Sequence, residues 1–296
     1  MPLTVSKVCK QELCDSGPAI IRKGHTNPDY VFNAHGSHFP ALHHRLLLWT
    51  CPAECDYTCQ HIITQRRLDR DPPMLEPIVQ YHGKWPFHRF LGMQEPFSVL
   101  FSLFNYLAHR NGLKRLADKV PASYSLMPYY QMFGYFGLAS WIFSMIFHTR
   151  DFNLTEKLDY FAAGAPCCTQ SLLRIWTATC CILYLAHVSY LTLWSWDYTY
   201  NMAANVAVGV VQNLLWSWFS VTRYRRLQKT WAAWPGLIVA WIIMAMSLEL
   251  FDFPPWGGMV DAHSLWHLGT VIPTVWWYSF LIRDAQEDLA GERLKQ

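Results

Sequence analysis

Asp261-Ala262-His263-Ser264-Leu265-Trp266-His267 opens the last long apolar run of the chain, Leu265 to Ile282. Residues four apart on an α-helix lie one turn apart on the same face, so His263 and His267 can aim both imidazoles at one point. Two ligands are too few for a zinc site. Catalytic zinc usually has three protein ligands and an open position for water, so a third histidine and a nearby carboxylate are expected elsewhere. Ser144-Met145-Ile146-Phe147-His148 provides the histidine, again with a polar partner one turn away, and Asp159 lies near the start of the following apolar run. A single histidine in such a run is ordinarily a hydrogen-bonded core residue. Three of them with a serine and an aspartate at helix ends read differently, because ionisable groups at membrane depth are costly and usually functional.

Composition sets the class. Of 296 residues, 52% are hydrophobic, 16% aromatic and only 15% charged, which is too apolar and aromatic for an ordinary soluble domain. The mean hydropathy of +0.06 is low because the first ~90 residues are polar. A net charge of +3 implies no nucleic-acid partner, since the basic clusters sit between apolar runs where topology accounts for them. The sequence therefore predicts an all-α membrane protein.

Seven apolar runs are expected to cross the bilayer, at about 96–109, 126–148, 157–173, 175–194, 199–221, 232–251 and 263–282. Basic connections follow runs one, three and five (His109 to Arg115, Arg174, Arg223 to Lys229), and the alternate connections carry acids and aromatics. By the positive-inside rule the N-terminus is lumenal and the C-terminus cytosolic. The expected organisation is a lumenal cysteine-containing region over 1–95, a seven-transmembrane bundle over 96–283 and a cytosolic tail over 284–296. His148, Asp159, His263 and their neighbours then all fall at lumenal helix ends. Residues 1–20 lack a basic segment followed by an apolar one, so no signal peptide is visible and a processed or truncated start is expected. Five N-terminal cysteines (Cys9, Cys14, Cys51, Cys55, Cys59) suggest a disulfide-tied region in an oxidising compartment, with one thiol left over. Cys167, Cys168, Cys180 and Cys181 read as membrane-buried small hydrophobes.

Zinc held by His148, His263 and His267 would lower the pKa of bound water from near 16 toward ~7. Asp159 can take or orient that water's proton, and Ser144 can donate to the developing oxyanion or steady Asp159. The product is a hydrolase acting on a lipid ester or amide. His187, mid-run with no carboxylate spaced near it, reads as a core histidine. The polar residues Glu95, Glu249, Asp197 and Asn201 read as helix caps and backbone partners.

His82-Gly-Lys-Trp-Pro-Phe-His-Arg89, Gln94-Glu-Pro96, Phe147-His-Thr-Arg-Asp151, Leu154-Thr-Glu-Lys-Leu-Asp-Tyr160, Asp197-Tyr-Thr-Tyr-Asn201, Leu248-Glu-Leu-Phe-Asp-Phe-Pro-Pro255 and Asp261 to His267 together resemble the post-GPI-attachment-to-proteins factor three family, the GPI-specific phospholipase A2-like proteins. The resemblance covers roughly residues 50 to 283. That family is part of the wider CREST superfamily of seven-helix membrane hydrolases, which includes alkaline ceramidases and adiponectin-type receptors. The superfamily's pattern of Ser, His, Asp and a later His pair falls on Ser144, His148, Asp159, His263 and His267. The resemblance implies a metal-dependent acyl-ester hydrolase of the endoplasmic reticulum or Golgi membrane. Its substrates would be GPI-anchored proteins among membrane lipids, and it would remove the sn-2 acyl chain of the anchor's phosphatidylinositol. A ceramidase-like amide hydrolase, and a receptor or lipid chaperone with a structural metal, are the alternatives. The lumenal cysteine region weighs against the first, and a closed four-ligand site would favour the second.

Overall fold

The computed structural model describes residues 42–72, 74–162 and 170–293. Expectations placed on Cys9, Cys14, Cys167, Cys168 and the chain start lie outside these residues. Among the described residues there is no strand, only the isolated bridges Tyr81–Lys84, Phe90–Met93 and Trp256–Val260. The helices are α1 (Leu42–Leu46), α2 (Cys51–Leu68), α3 (Pro96–Lys119), α4 (Met127–Thr149), α5 (Asn153–Ala162), α6 (Gln170–Ser189), α7 (Tyr198–Leu227), α8 (Trp234–Phe251) and α9 (Ala262–Arg293). A π-helical turn, Tyr190–Trp194, extends α6, and a 3-10 turn, Thr230–Ala233, leads into α8.

The chain forms two compact units. The first comprises the described residues up to Phe97 with His148–Arg150 and Phe253–Asp261. Its helix α2 starts where Thr50 Oγ1 accepts the Ala53 amide and Pro52 occupies the first turn, a position that needs no N–H. Cys55 and Cys59 each take part in a disulfide. The Arg89 guanidinium lies over the rings of Trp49 and Tyr57, 3.2 and 4.0 Å from their centroids, and pairs with Glu54 at 2.7 Å. Gly258, at φ +70°, accepts the His88 amide at its carbonyl, and a Cβ there would stand 2.2 Å from the His88 ring, so only glycine fits.

His61 on α2 stacks on His88 with ring centroids 4.7 Å apart and donates from Nε2 to the Phe87 carbonyl. Burial lowers its pKa from the ordinary value, the charges of His88 and Arg89 add to that, and the Phe87 carbonyl opposes it. A histidine whose folded pKa is depressed binds fewer protons folded than unfolded, so its contribution to stability is lost as pH falls through ~6.5. Hydrogen-exchange protection of α2 is expected to drop between about pH 7.5 and 5.5, and His61→Gln to flatten that drop. An unchanged pH profile in the variant would contradict this assignment.

The second unit holds the long helices. On α3, Ser98, Ser102, Asn105 and His109 recur at helical spacing and all are buried, whereas Leu100, Leu103, Phe104 and Leu107 are exposed. The helix is polar inward and apolar outward. Along α7, Val206, Val210, Leu214, Trp218 and Val221 are likewise exposed. Against α9, α8 packs closely enough that a Cβ on Gly269 would meet the Ala245 Cβ at 2.9 Å, with Trp241 Nε1 donating to the Gly269 carbonyl. Two apolar clusters fill the other end of the unit, one around Leu116, Val120, Tyr124 and Ile282 and one around Trp231, Phe280 and Leu281.

Run two coincides with α4, but other boundaries differ. The basic stretch His109–Arg115 belongs to α3, and Arg223–Arg226 to the C-terminal part of α7. Residues 284–293, expected as part of a tail, continue α9; Arg223 bonds Asp284 (2.8 Å) and Asp288 (2.5 Å) there, and Lys229 bonds Glu287. Charges end a hydropathy run without ending a helix. Among the described residues one helix, Thr230–Glu249, is long and apolar enough to cross a membrane by length and composition, with Ala178–Trp194 apolar but shorter.

Candidate metal centre

His263 and His267 both lie in the first two turns of α9, and their Nε2 atoms are 3.0 Å apart. Each ring's other nitrogen is engaged. His263 Nδ1 is 2.7 Å from Glu249 Oε2, a carboxylate oxygen that can only accept, so the Nδ1 carries the hydrogen. The Ser102 hydroxyl donates to the Ser98 carbonyl at 2.7 Å, so its oxygen accepts from His267 Nδ1 at 2.8 Å. Assigned in this way from the network, both Nε2 atoms present lone pairs to each other. Lone pairs at that separation repel unless a positive charge lies between them.

His148 supplies a third imidazole one turn after Ser144 on α4. It is 2% exposed, and its Nδ1 donates to Glu95 Oε2 at 2.6 Å. The Glu95 and Gln94 amides bond the His148 and Thr149 carbonyls, and Lys84 pairs with Glu95 Oε1, so the carboxylate is fixed from several sides. One ring nitrogen from each of His148, His263 and His267 lies within 4.8 Å of the others. The donor set fits a zinc-type ion: three imidazoles, each with its far nitrogen held by a carboxylate or hydroxyl, as metal-ligating histidines usually are.

Ser144 is buried, with Oγ 3.1 Å from Ser102 Oγ, and the Trp141 ring packs edge-on against His267. Asp159 is half-buried on α5 and is not a member of the three-histidine group. His187 bonds Asn201 Oδ1 (3.2 Å) and the Tyr200 hydroxyl, but it is only half-buried, not the core residue expected. Asp197 caps α7 by accepting the Tyr200 amide. Glu95 and Glu249 do more than the capping expected of them, since each orients an imidazole. Ser102 was not anticipated at all. Its signal was the polar repeat at 98, 102, 105 and 109, which continues into Asn105, whose Nδ2 donates to the His267 carbonyl at 2.7 Å.

Glu95→Gln and Glu249→Gln are each expected to weaken metal binding about 10- to 100-fold, the usual cost of losing an outer-sphere partner of a metal-ligating histidine. Competition with a chelator of known affinity measures this, and unchanged retention in both variants would contradict the role.

The Per1-like family model matches residues 41–285. Protein PER1 homolog of Schizosaccharomyces pombe is 40% identical over 269 residues, covering 85% of this chain and 80% of that protein. Protein PER1 of Saccharomyces cerevisiae is 36% identical over 289 residues, covering 83% and 80%. GPI-specific phospholipase A2-like PGAP3 of Danio rerio is 40% identical over 259 residues, covering 83% and 80%. No solved structure matches. With most of its length aligned and His148, His263 and His267 inside the matched region, the chain belongs to the Per1-like family.

Proposed function

We propose that this protein is a metal-dependent acyl-ester hydrolase of GPI-anchor remodelling, which removes the sn-2 acyl chain from the phosphatidylinositol of GPI-anchored proteins. The observation that carries the reading is the set of three histidines whose far nitrogens are held by Glu95, Glu249 and Ser102. The substrate comes from the relatives named GPI-specific phospholipase A2-like PGAP3.

His148, His263 and His267 would hold zinc, which when bound acidifies water and polarises a carbonyl oxygen. The rest of the chemistry belongs to the chain. Asp159 accepts the water's proton and returns it to the leaving alkoxide, as one carboxylate can in both directions. Ser144, its oxygen already near Ser102, donates to the oxyanion of the tetrahedral intermediate. Glu95, Glu249 and Ser102 hold the imidazoles in the tautomer that puts the hydrogen on Nδ1.

Seven spans, with the histidines beneath the lumenal surface of the endoplasmic reticulum or Golgi membrane, give this site its substrate. Helices of 23 to 32 residues, as α3, α4, α7 and α9 are, exceed a hydrocarbon core of ~30 Å at ~1.5 Å per residue. The inward polar stripe of α3 and the exposed valines and leucines of α7 support the same reading, since in lipid the apolar face turns outward. The test is mass spectrometry of a GPI-anchored reporter incubated with the purified, reconstituted protein. Release of the sn-2 fatty acid and a lyso-anchor is expected; an intact diacyl anchor alongside cleaved ceramide would contradict the proposal and favour an amide hydrolase.

A further inference from the structure

At the end of α9 away from the histidines, a cavity of ≈ 600 Å³ opens between α3, the Thr230–Ala233 turn, α8 and α9. Arg115, Lys119 and Arg283 line it together with the indoles of Trp231 and Trp234. The cations are placed rather than loose. Arg115 donates to Ser279 Oγ at 3.0 Å, itself a lining residue, and the Arg283 guanidinium lies 4.8 Å from the centre of the Trp234 ring. The one lining carboxylate, Glu287, is occupied by Lys229 Nζ at 2.5 Å, so the cavity keeps an excess of positive charge. The twenty steps from His263 to Arg283 rise ~30 Å along the helix, about one hydrocarbon thickness.

The geometry points to a binding site for the phosphate-bearing headgroup of an anionic phospholipid in the leaflet opposite the metal centre, an inference that rests on the membrane reading above. Guanidinium groups grip phosphate oxygens bidentately, an ammonium adds a point charge, and the indoles seat the pocket at headgroup depth. Basic pockets between helices on the cytoplasmic side take such headgroups, each Lys or Arg near an anionic surface adding attraction. The pocket uses none of the residues assigned to hydrolysis. It would couple the protein to the charge of its cytosolic leaflet.

The experiment uses the full chain in nanodiscs of phosphatidylcholine alone or with a phosphatidylinositol phosphate, read by native mass spectrometry of retained lipid and by melting temperature. Preferential retention of the anionic lipid and a higher melting temperature are expected, with Arg115→Gln/Arg283→Gln reducing retention at least about tenfold and Lys114→Gln, exposed outside the pocket, leaving it unchanged. Lys119→Gln, at the exposed rim, gives the same reading with less risk to folding and is expected to reduce retention severalfold. Equal retention in wild type and both pocket variants would overturn the site. Stabilisation by soluble inositol phosphate or inorganic phosphate equal to that by the lipid would assign the pocket to a free anion and overturn the lipid headgroup. Insertion into nanodiscs without anionic preference removes this inference alone, whereas failure to insert removes the membrane reading with it.

Discussion

His267→Ala is expected to strip the metal from the purified protein and to lower deacylation of a GPI-anchored substrate by roughly a thousandfold or more. The ring is one of the three donors within 4.8 Å of one another, and its Nδ1 anchors it to Ser102 on another helix. Losing it leaves two donors, and the several kcal/mol of charge stabilisation that a bound metal supplies is worth about 10³-fold in rate. The substitution also removes an edge-on contact with Trp141, so some loss of thermal stability accompanies it. Metal content and activity falling together while helical circular dichroism is retained is the expected pattern. A variant that keeps its metal and its rate would contradict the ligand assignment, and one that unfolds along with metal loss would favour a structural ion.

Asp159→Ala is expected to separate binding from chemistry. Asp159 lies on α5 outside the histidine group, so the variant should retain full metal occupancy. A positioned general base contributes about 10² to 10⁴ in rate, and the loss should appear in kcat rather than in KM. Asp159→Asn should be as slow, because an amide cannot take the proton. Full activity in Asp159→Ala would end the acid/base assignment while leaving the metal site standing.

Local periodicity made much of this legible. The four-residue spacing of His263 and His267 is a property of one helix, and the structure keeps both on α9 with their Nε2 atoms facing. Partners set by tertiary placement were not legible in the same way. Glu95 is 53 residues from His148 and Ser102 is 165 from His267, distances over which no spacing rule operates. Glu249 was visible only as an acid near a helix end, where capping is the commoner role. Helix ends were blurred for a different reason: α3 runs on to Lys119 and α9 to Arg293 because Arg, Lys, Glu and Ala propagate a helix as well as leucine does, whereas hydropathy stops at the first charges. The inward polar stripe of α3 lowers the hydropathy of the very helix that faces the site.

X-ray absorption at the zinc edge on the purified protein tests the metal centre most directly. One zinc per chain bound by three imidazole nitrogens at ~2.0–2.1 Å plus one oxygen donor is the expected spectrum, with the imidazole count falling in His263→Ala. Protein purified active with no metal, or with a shell containing sulfur or fewer than three imidazoles, would contradict it.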